Sequence, residues 1–126
     1  MVPVPTSYQA KSDYLQNNLL ILRMRESQIQ SQIIHWLEKE GWLVVKIIQT
    51  NKNGWPDLQI HKLGVTIFIE VKSENGIVSE LQRYRHKQLT EAGFFVFITK
   101  SLKELQHEFI TISEKLRQQR LVGNLN

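Results

Sequence analysis

Val65-Thr66-Ile67-Phe68-Ile69-Glu70-Val71-Lys72 reads as a strand that should be buried, yet it ends in a carboxylate and an ammonium. The β-branched and aromatic residues fix the strand, and strict alternation puts Phe68, Glu70 and Lys72 on one face and Ile67, Ile69 and Val71 on the other. A charge inside such a run costs several kcal/mol unless it is paired, hydrated or bound to a metal. Phe68 marks its face as covered near the strand's middle, so Glu70 and Lys72 lie where the covering core opens into a cleft.

Upstream, Gly54-Trp55-Pro56 is a turn, and Asp57 to His61 forms a second apolar segment joined to the first by Lys62-Leu63-Gly64. So short a link predicts an antiparallel pair. The start of one strand then lies beside the end of the next, which brings Asp57 to Glu70. Two facing carboxylates repel, and one pKa rises unless a positive charge intervenes. Mg²⁺ meets that need with hard oxygen ligands, Mn²⁺ is a close substitute, and the backbone carbonyl of Val71 is a further candidate ligand.

Around this hairpin the chain alternates helices and strands. Residues 1–25 are expected to form an arm, within which Leu15 to Met24 fits a short helix or an edge strand. A helix from Glu26 to Glu40 follows from the spacing of Ile29, Ile33, Trp36 and Leu37, and Gly41 stops it. Leu43 to Gln49 is a strand, and Glu80 to Ala92 a helix ended by Gly93. Phe94 to Ile98 is expected to be the strand buried on both faces. Ser101-Leu102-Lys103-Glu104 has the form of a capping box, and Leu105, Phe109, Ile112 and Leu116 continue as an apolar stripe that Thr111-Ile112-Ser113 could divide. The predicted class is α/β, with a mixed four-stranded sheet flanked by helices in the order α-β-β-β-α-β-α. One domain over 26–122 is expected, with 123–126 frayed.

The 126 residues suit a single core and carry 16 Lys plus Arg against 12 Asp plus Glu, with no cysteine. A net charge of +4 favours polyanionic partners without identifying one. Disulfides, Cys-bound metals and thiol nucleophiles are excluded. No stretch resembles a signal peptide or a membrane span, so a soluble protein of the cytoplasm is expected.

Further polar residues extend the cluster. Glu26 continues the apolar stripe of its helix toward the sheet, where it can complete a cation site or simply favour a helix N-terminus. Gln82 completes Ser-x-x-Gln with Ser79, so it either caps the next helix or positions water or phosphate above Lys72. Arg83, Arg85, His86 and Lys87 enrich that helix in cationic or basic residues suited to the phosphate backbone of DNA, with Lys11, Arg23 and Arg25 as further candidates.

Taken together, Gly54-Trp55-Pro56-Asp57-Leu58, Glu70-Val71-Lys72 and Ser79 with Gln82 resemble the PD-(D/E)XK nuclease superfamily, and within it the virus-type replication-repair nuclease domain, VRR-NUC. The likeness spans about Glu26 to Ile98. It implies a restriction-endonuclease-like core and Mg²⁺- or Mn²⁺-dependent hydrolysis of DNA phosphodiesters that leaves a 5′ phosphate. Glu26, Asp57 and Glu70 take the family's acidic positions, Lys72 its lysine and Gln82 its glutamine. Stand-alone members resemble homodimeric Holliday-junction resolvases, which makes a four-way junction the expected substrate. Flap or other branched-DNA cleavage is the alternative nuclease role, and a catalytically silent DNA-binding subunit the alternative outside catalysis.

Overall fold

The computed structural model describes residues 6–125, without the side chains of residues 20–24 and 122–125. Its elements are α1 (Tyr8–Lys39), β1 (Leu43–Lys46), β2 (Leu58–Lys62), β3 (Val65–Val71), α2 (Glu80–Glu91), β4 (Phe95–Thr99) and α3 (Leu102–Leu125). The order is the predicted one. The strands lie in the sheet as β1-β2-β3-β4, the first three antiparallel and β4 parallel to β3, so α2 is the crossover that parallel pairing requires.

The main core forms where α1 and α3 meet one face of the sheet. Ile33 and Leu37 of α1, Leu105 of α3, Leu58 and Ile60 of β2, and Ile67, Ile69 and Val71 of β3 are all buried there. Each contributes roughly 1.5–3 kcal/mol relative to exposure. Phe109 joins the helices through edge-on contacts with Trp36 and Trp42, both at 5.6 Å between ring centres. The opposite face carries Phe68, which packs edge-on against Trp55 and Phe94. Strand alternation thus divides β3 as expected, with its aliphatic side toward α1 and α3 and its Phe68-Glu70 side toward α2.

Several expectations need correction. Leu15 to Met24 is neither a separate short helix nor an edge strand: a single helix, capped by the Ser7 hydroxyl accepting from the Ala10 N–H, runs from Tyr8 through residue 26 to Lys39. Residues 1–5 of the expected arm lie outside the described residues. β4, expected to be the fully buried strand, is an edge strand whose Phe95, Val96 and Phe97 are half-buried and whose Ile98 is exposed. β3 is the strand with fully covered residues from Ile67 onward, because it has neighbours on both sides and helices over both faces. β1 stops at Lys46 rather than Gln49, and α3 is continuous through Thr111-Ile112-Ser113. The expected frayed end is helical through Leu125, with residue 126 outside the described residues.

Candidate active site at the ends of β2 and β3

The β2–β3 register pairs Leu58 with Ile69, so Asp57 meets Glu70 one step further along. The turn before Asp57 is held tightly. Gly54 adopts φ +81°, and a Cβ there would lie 2.9 Å from Leu81 Cγ and 3.0 Å from the Leu81 backbone, so the loop passes against α2 where only glycine fits. Arg85 adds a second tether by donating from Nε to the Asn53 carbonyl at 2.9 Å. Pro56 is buried, and the Asp57 carbonyl accepts from the Ile47 N–H at 2.8 Å, which carries the β1–β2 ladder one residue beyond the strands.

The Asp57 carboxylate accepts from the Val71 N–H at 2.8 Å. Burial raises its pKa most, and the neighbouring Glu70 carboxylate raises it further. The Val71 N–H and the Lys72 ammonium oppose the rise, leaving a value of about 7. Glu70 is fully buried, and neither of its oxygens has a hydrogen-bond donor. Two carboxylates brought together in a buried corner repel, and a proton on Asp57 or a bound cation would relieve that repulsion.

Lys72 follows on the same face as Glu70, its backbone N–H fixed by donation to the Thr99 carbonyl at 2.9 Å. Gly76 turns back against its stem, where a Cβ would come within 3.2 Å of Lys72 Cβ. Glu26 reaches this corner from α1, its Oε1 accepting from the buried Ser73 N–H at 3.3 Å. Eighteen residues into the helix as α1 is drawn from Tyr8, it is not a first-turn residue, so the expectation of a helix-terminus role is corrected. It couples α1 to the segment that leaves β3.

The donor set suits a hard divalent cation. Mg²⁺ is ordinarily held by one or two carboxylates, with water and substrate phosphate completing its shell. No three His, Asp or Glu side chains converge as a metal-binding group among the described residues. Asp57 and Glu70, set opposite each other by the β2–β3 register, are the residues that would hold the cation. The unpartnered oxygens of buried Glu70 are the observation that fits it.

A solved structure described as a VRR_NUC domain is 30% identical to this protein, covering 66% of this chain and 91% of its own, with a TM-score of 0.60. The chain belongs to the VRR-NUC family. A second solved structure, a VRR_NUC domain protein, is 18% identical, covers 64% of this chain and 80% of its own with a TM-score of 0.55, and shares the fold. No family model matches the chain, and no curated protein does. Membership makes this a nuclease-type domain, for which DNA is the implied substrate.

The remaining predicted residues of this VRR-NUC chain divide sharply. Gln82 forms the capping box: its Oε1 accepts from the Ser79 N–H at 2.9 Å while its own N–H donates to the Ser79 hydroxyl at 3.1 Å. Its amide NH₂ is not used by that box. Arg83 and Lys87 are exposed, Lys87 facing Glu91 at 4.0 Å in an exposed pair of little energetic weight. Arg85, expected on the DNA, is instead engaged with Asn53 and with the Gln88 side chain. His86 departs furthest from expectation. It is buried, with Nε2 3.5 Å from Glu70 Oε1, and belongs with the carboxylates rather than with the surface cations. Burial lowers its pKa first and the Lys72 charge lowers it further, against the pull of Asp57, so the ring is neutral at pH 7. The spacing of Gln82, His86 and Leu89 could have revealed this, since such positions share one helix face. Lys11 and Arg25 are exposed on α1, and the side chain of Arg23 lies outside the described residues.

Proposed function

We propose that this protein is a Mg²⁺-dependent endodeoxyribonuclease, with Mn²⁺ as a substitute, whose cation is held by Asp57 and Glu70 with the Val71 carbonyl and with Glu26 in support. The observation that carries the reading is the contact of two carboxyl groups at the ends of β2 and β3, one fully buried with both oxygens lacking donors, beside the Lys72 ammonium. A cation bound there supplies charge neutralisation at the phosphate and a more acidic water.

The chain's own groups do the rest. Lys72 orients the attacking water and stabilises the charge that grows on the phosphate oxygens. Attack in line forms a new phosphorus–oxygen bond and breaks the bond to the 3′ oxygen, leaving a 5′ phosphate and a 3′ hydroxyl. Glu26 fixes the backbone at Ser73 and so the path of the chain beyond Lys72. Gln82, through the amide NH₂ that its capping box leaves over, helps to aim the scissile phosphate. Exposed Arg83 and Lys87 hold the duplex by its backbone.

Four-way junctions are the proposed substrate, cut in the cytoplasm by two copies related by a two-fold axis. Supporting this are the resemblance to dimeric resolvases and the geometric need for two sites to make two opposed nicks. The test is a cleavage panel of intact four-way junctions, flaps, linear duplex and single strands, with solution mass measured in parallel. Paired symmetric nicks in the junction by a dimer are expected. Cutting of flaps alone by a monomer contradicts the junction reading, and tight binding with no cutting in Mg²⁺ or Mn²⁺ favours a silent DNA-binding subunit.

Among the described residues, no helix is long and apolar enough to cross a membrane.

A further inference from the structure

Glu70 Oε1 and His86 Nε2 face each other at 3.5 Å, with side chains 1% and 11% exposed, and neither atom has a hydrogen-bond partner. Leaving one buried polar atom unpartnered is costly, and here two complementary ones are left in confrontation. Helix α2 buries only two residues, His86 and Leu89. A buried imidazole nitrogen without a partner calls for a chemical reason.

The distance supplies one. A formed hydrogen bond from N–H to an ionised carboxylate spans about 2.7–2.9 Å, so a shift of less than about 1 Å closes this one. A buried carboxylate that gives one oxygen to a cation leaves the other in need of a donor, and His86 Nε2 faces Glu70 Oε1. His86 approaches Glu70 from α2 and would serve that carboxylate as a donor rather than the cation as a ligand.

We propose that His86 is a positioning residue whose Nε2–H orients the Glu70 carboxylate for cation binding. The inference rests on the nuclease reading above and deepens it. Groups that hold a metal-binding carboxylate from behind influence affinity by about 10- to 100-fold.

The experiment is Mn²⁺ titration followed by electron paramagnetic resonance on the full chain, without DNA, for wild type, Asp57→Ala, His86→Leu, His86→Met and His86→Gln. Thermal unfolding identifies the folded variants. The Leu and Met substitutions both remove the donor while retaining bulk, so either one that folds decides the matter. Expected are a loss in Mn²⁺ affinity of about 10- to 100-fold in that variant, substantial recovery in His86→Gln, which keeps an N–H donor, and no imidazole nitrogen coupling in the spin-echo spectrum. Undiminished affinity in the folded donor-free variant overturns the inference alone, provided that Asp57→Ala has lost the site. A nitrogen coupling that disappears on substituting His86 also overturns it, by making the ring a direct ligand. Wild-type protein that binds no Mn²⁺ brings down the nuclease reading and this inference with it.

Discussion

Asp57 and Glu70 face one another across the β2–β3 pair, one step beyond Leu58 and Ile69, and the Glu70 carboxylate adds to the burial that lifts the Asp57 pKa to about 7. Such a pair works against the fold unless something neutralises it. Relieving the repulsion should therefore stabilise the metal-free protein while removing its function. Glu70→Gln, nearly isosteric with a residue that is completely buried, is expected to raise the melting temperature in EDTA at pH 8 by roughly 3–5 °C, corresponding to about 1 kcal/mol. Differential scanning calorimetry reads this directly, and a lower melting temperature would mean that the carboxylate is satisfied in some other way.

Acidity should act on the same pair with a definite sign. The folded-state pKa of Asp57, about 7, lies above its ordinary value of 3.8, so the folded protein holds the proton more tightly than the unfolded chain. The stability linked to this group is complete below pH 3.8 and disappears as pH rises through about 7. Stabilisation by Mg²⁺ should run the other way, growing between pH 6 and 8 as the cation ceases to compete with a proton. Melting curves with and without Mg²⁺ across that range test both trends. A Mg²⁺ effect independent of pH would place the cation elsewhere.

Gly54 anchors the loop that delivers Asp57. Gly54→Ala must accommodate both φ +81° and a Cβ 3.0 Å from the Leu81 backbone, which cannot move without α2. A loss of roughly 1–3 kcal/mol is expected. Because the displacement propagates to Asp57, Mg²⁺ affinity should fall as well. Denaturant unfolding and calorimetric Mg²⁺ titration check the two effects separately.

Arg83 and Arg85 should behave differently although only one residue separates them. Arg83 is exposed, and its loss should lower the slope of log affinity against log salt for DNA by about 1 without altering the fold. Arg85 holds the Asn53 carbonyl, so Arg85→Ala should cost roughly 0.5–1.5 kcal/mol of stability. Filter binding at several salt concentrations, set beside unfolding curves, distinguishes a phosphate contact from a loop tether.

The sheet and its charged corner were legible because alternation in Val65 to Lys72 and the short Lys62-Leu63-Gly64 link together determine a register. That register alone brings Asp57 to Glu70. The first half of α1 was not legible. Among the described side chains there, Leu15 and Leu19 are exposed and mark no buried stripe, whereas the Ser7 cap and a run of tolerable helix formers favour the helix. For β4, an apolar pentapeptide cannot reveal whether it has one neighbour or two. His86 stands between Arg85 and Lys87 in sequence, whereas the helical period separates them: His86 turns inward with Leu89, and Lys87 faces solvent. Glu26 reaches the Ser73 N–H just beyond β3, and the helix that carries it begins well upstream.

Under the proposed function, Asp57 and Glu70 hold the divalent cation on which cleavage depends. Cleavage of a labelled four-way junction by wild type and by folded Glu70→Gln, each in Mg²⁺ and in EDTA, tests it most directly. Cutting by wild type in Mg²⁺, its abolition by EDTA, and a loss of at least about 100-fold in Glu70→Gln are expected. Cleavage that persists in EDTA, or that Glu70→Gln performs as well as wild type, contradicts the account.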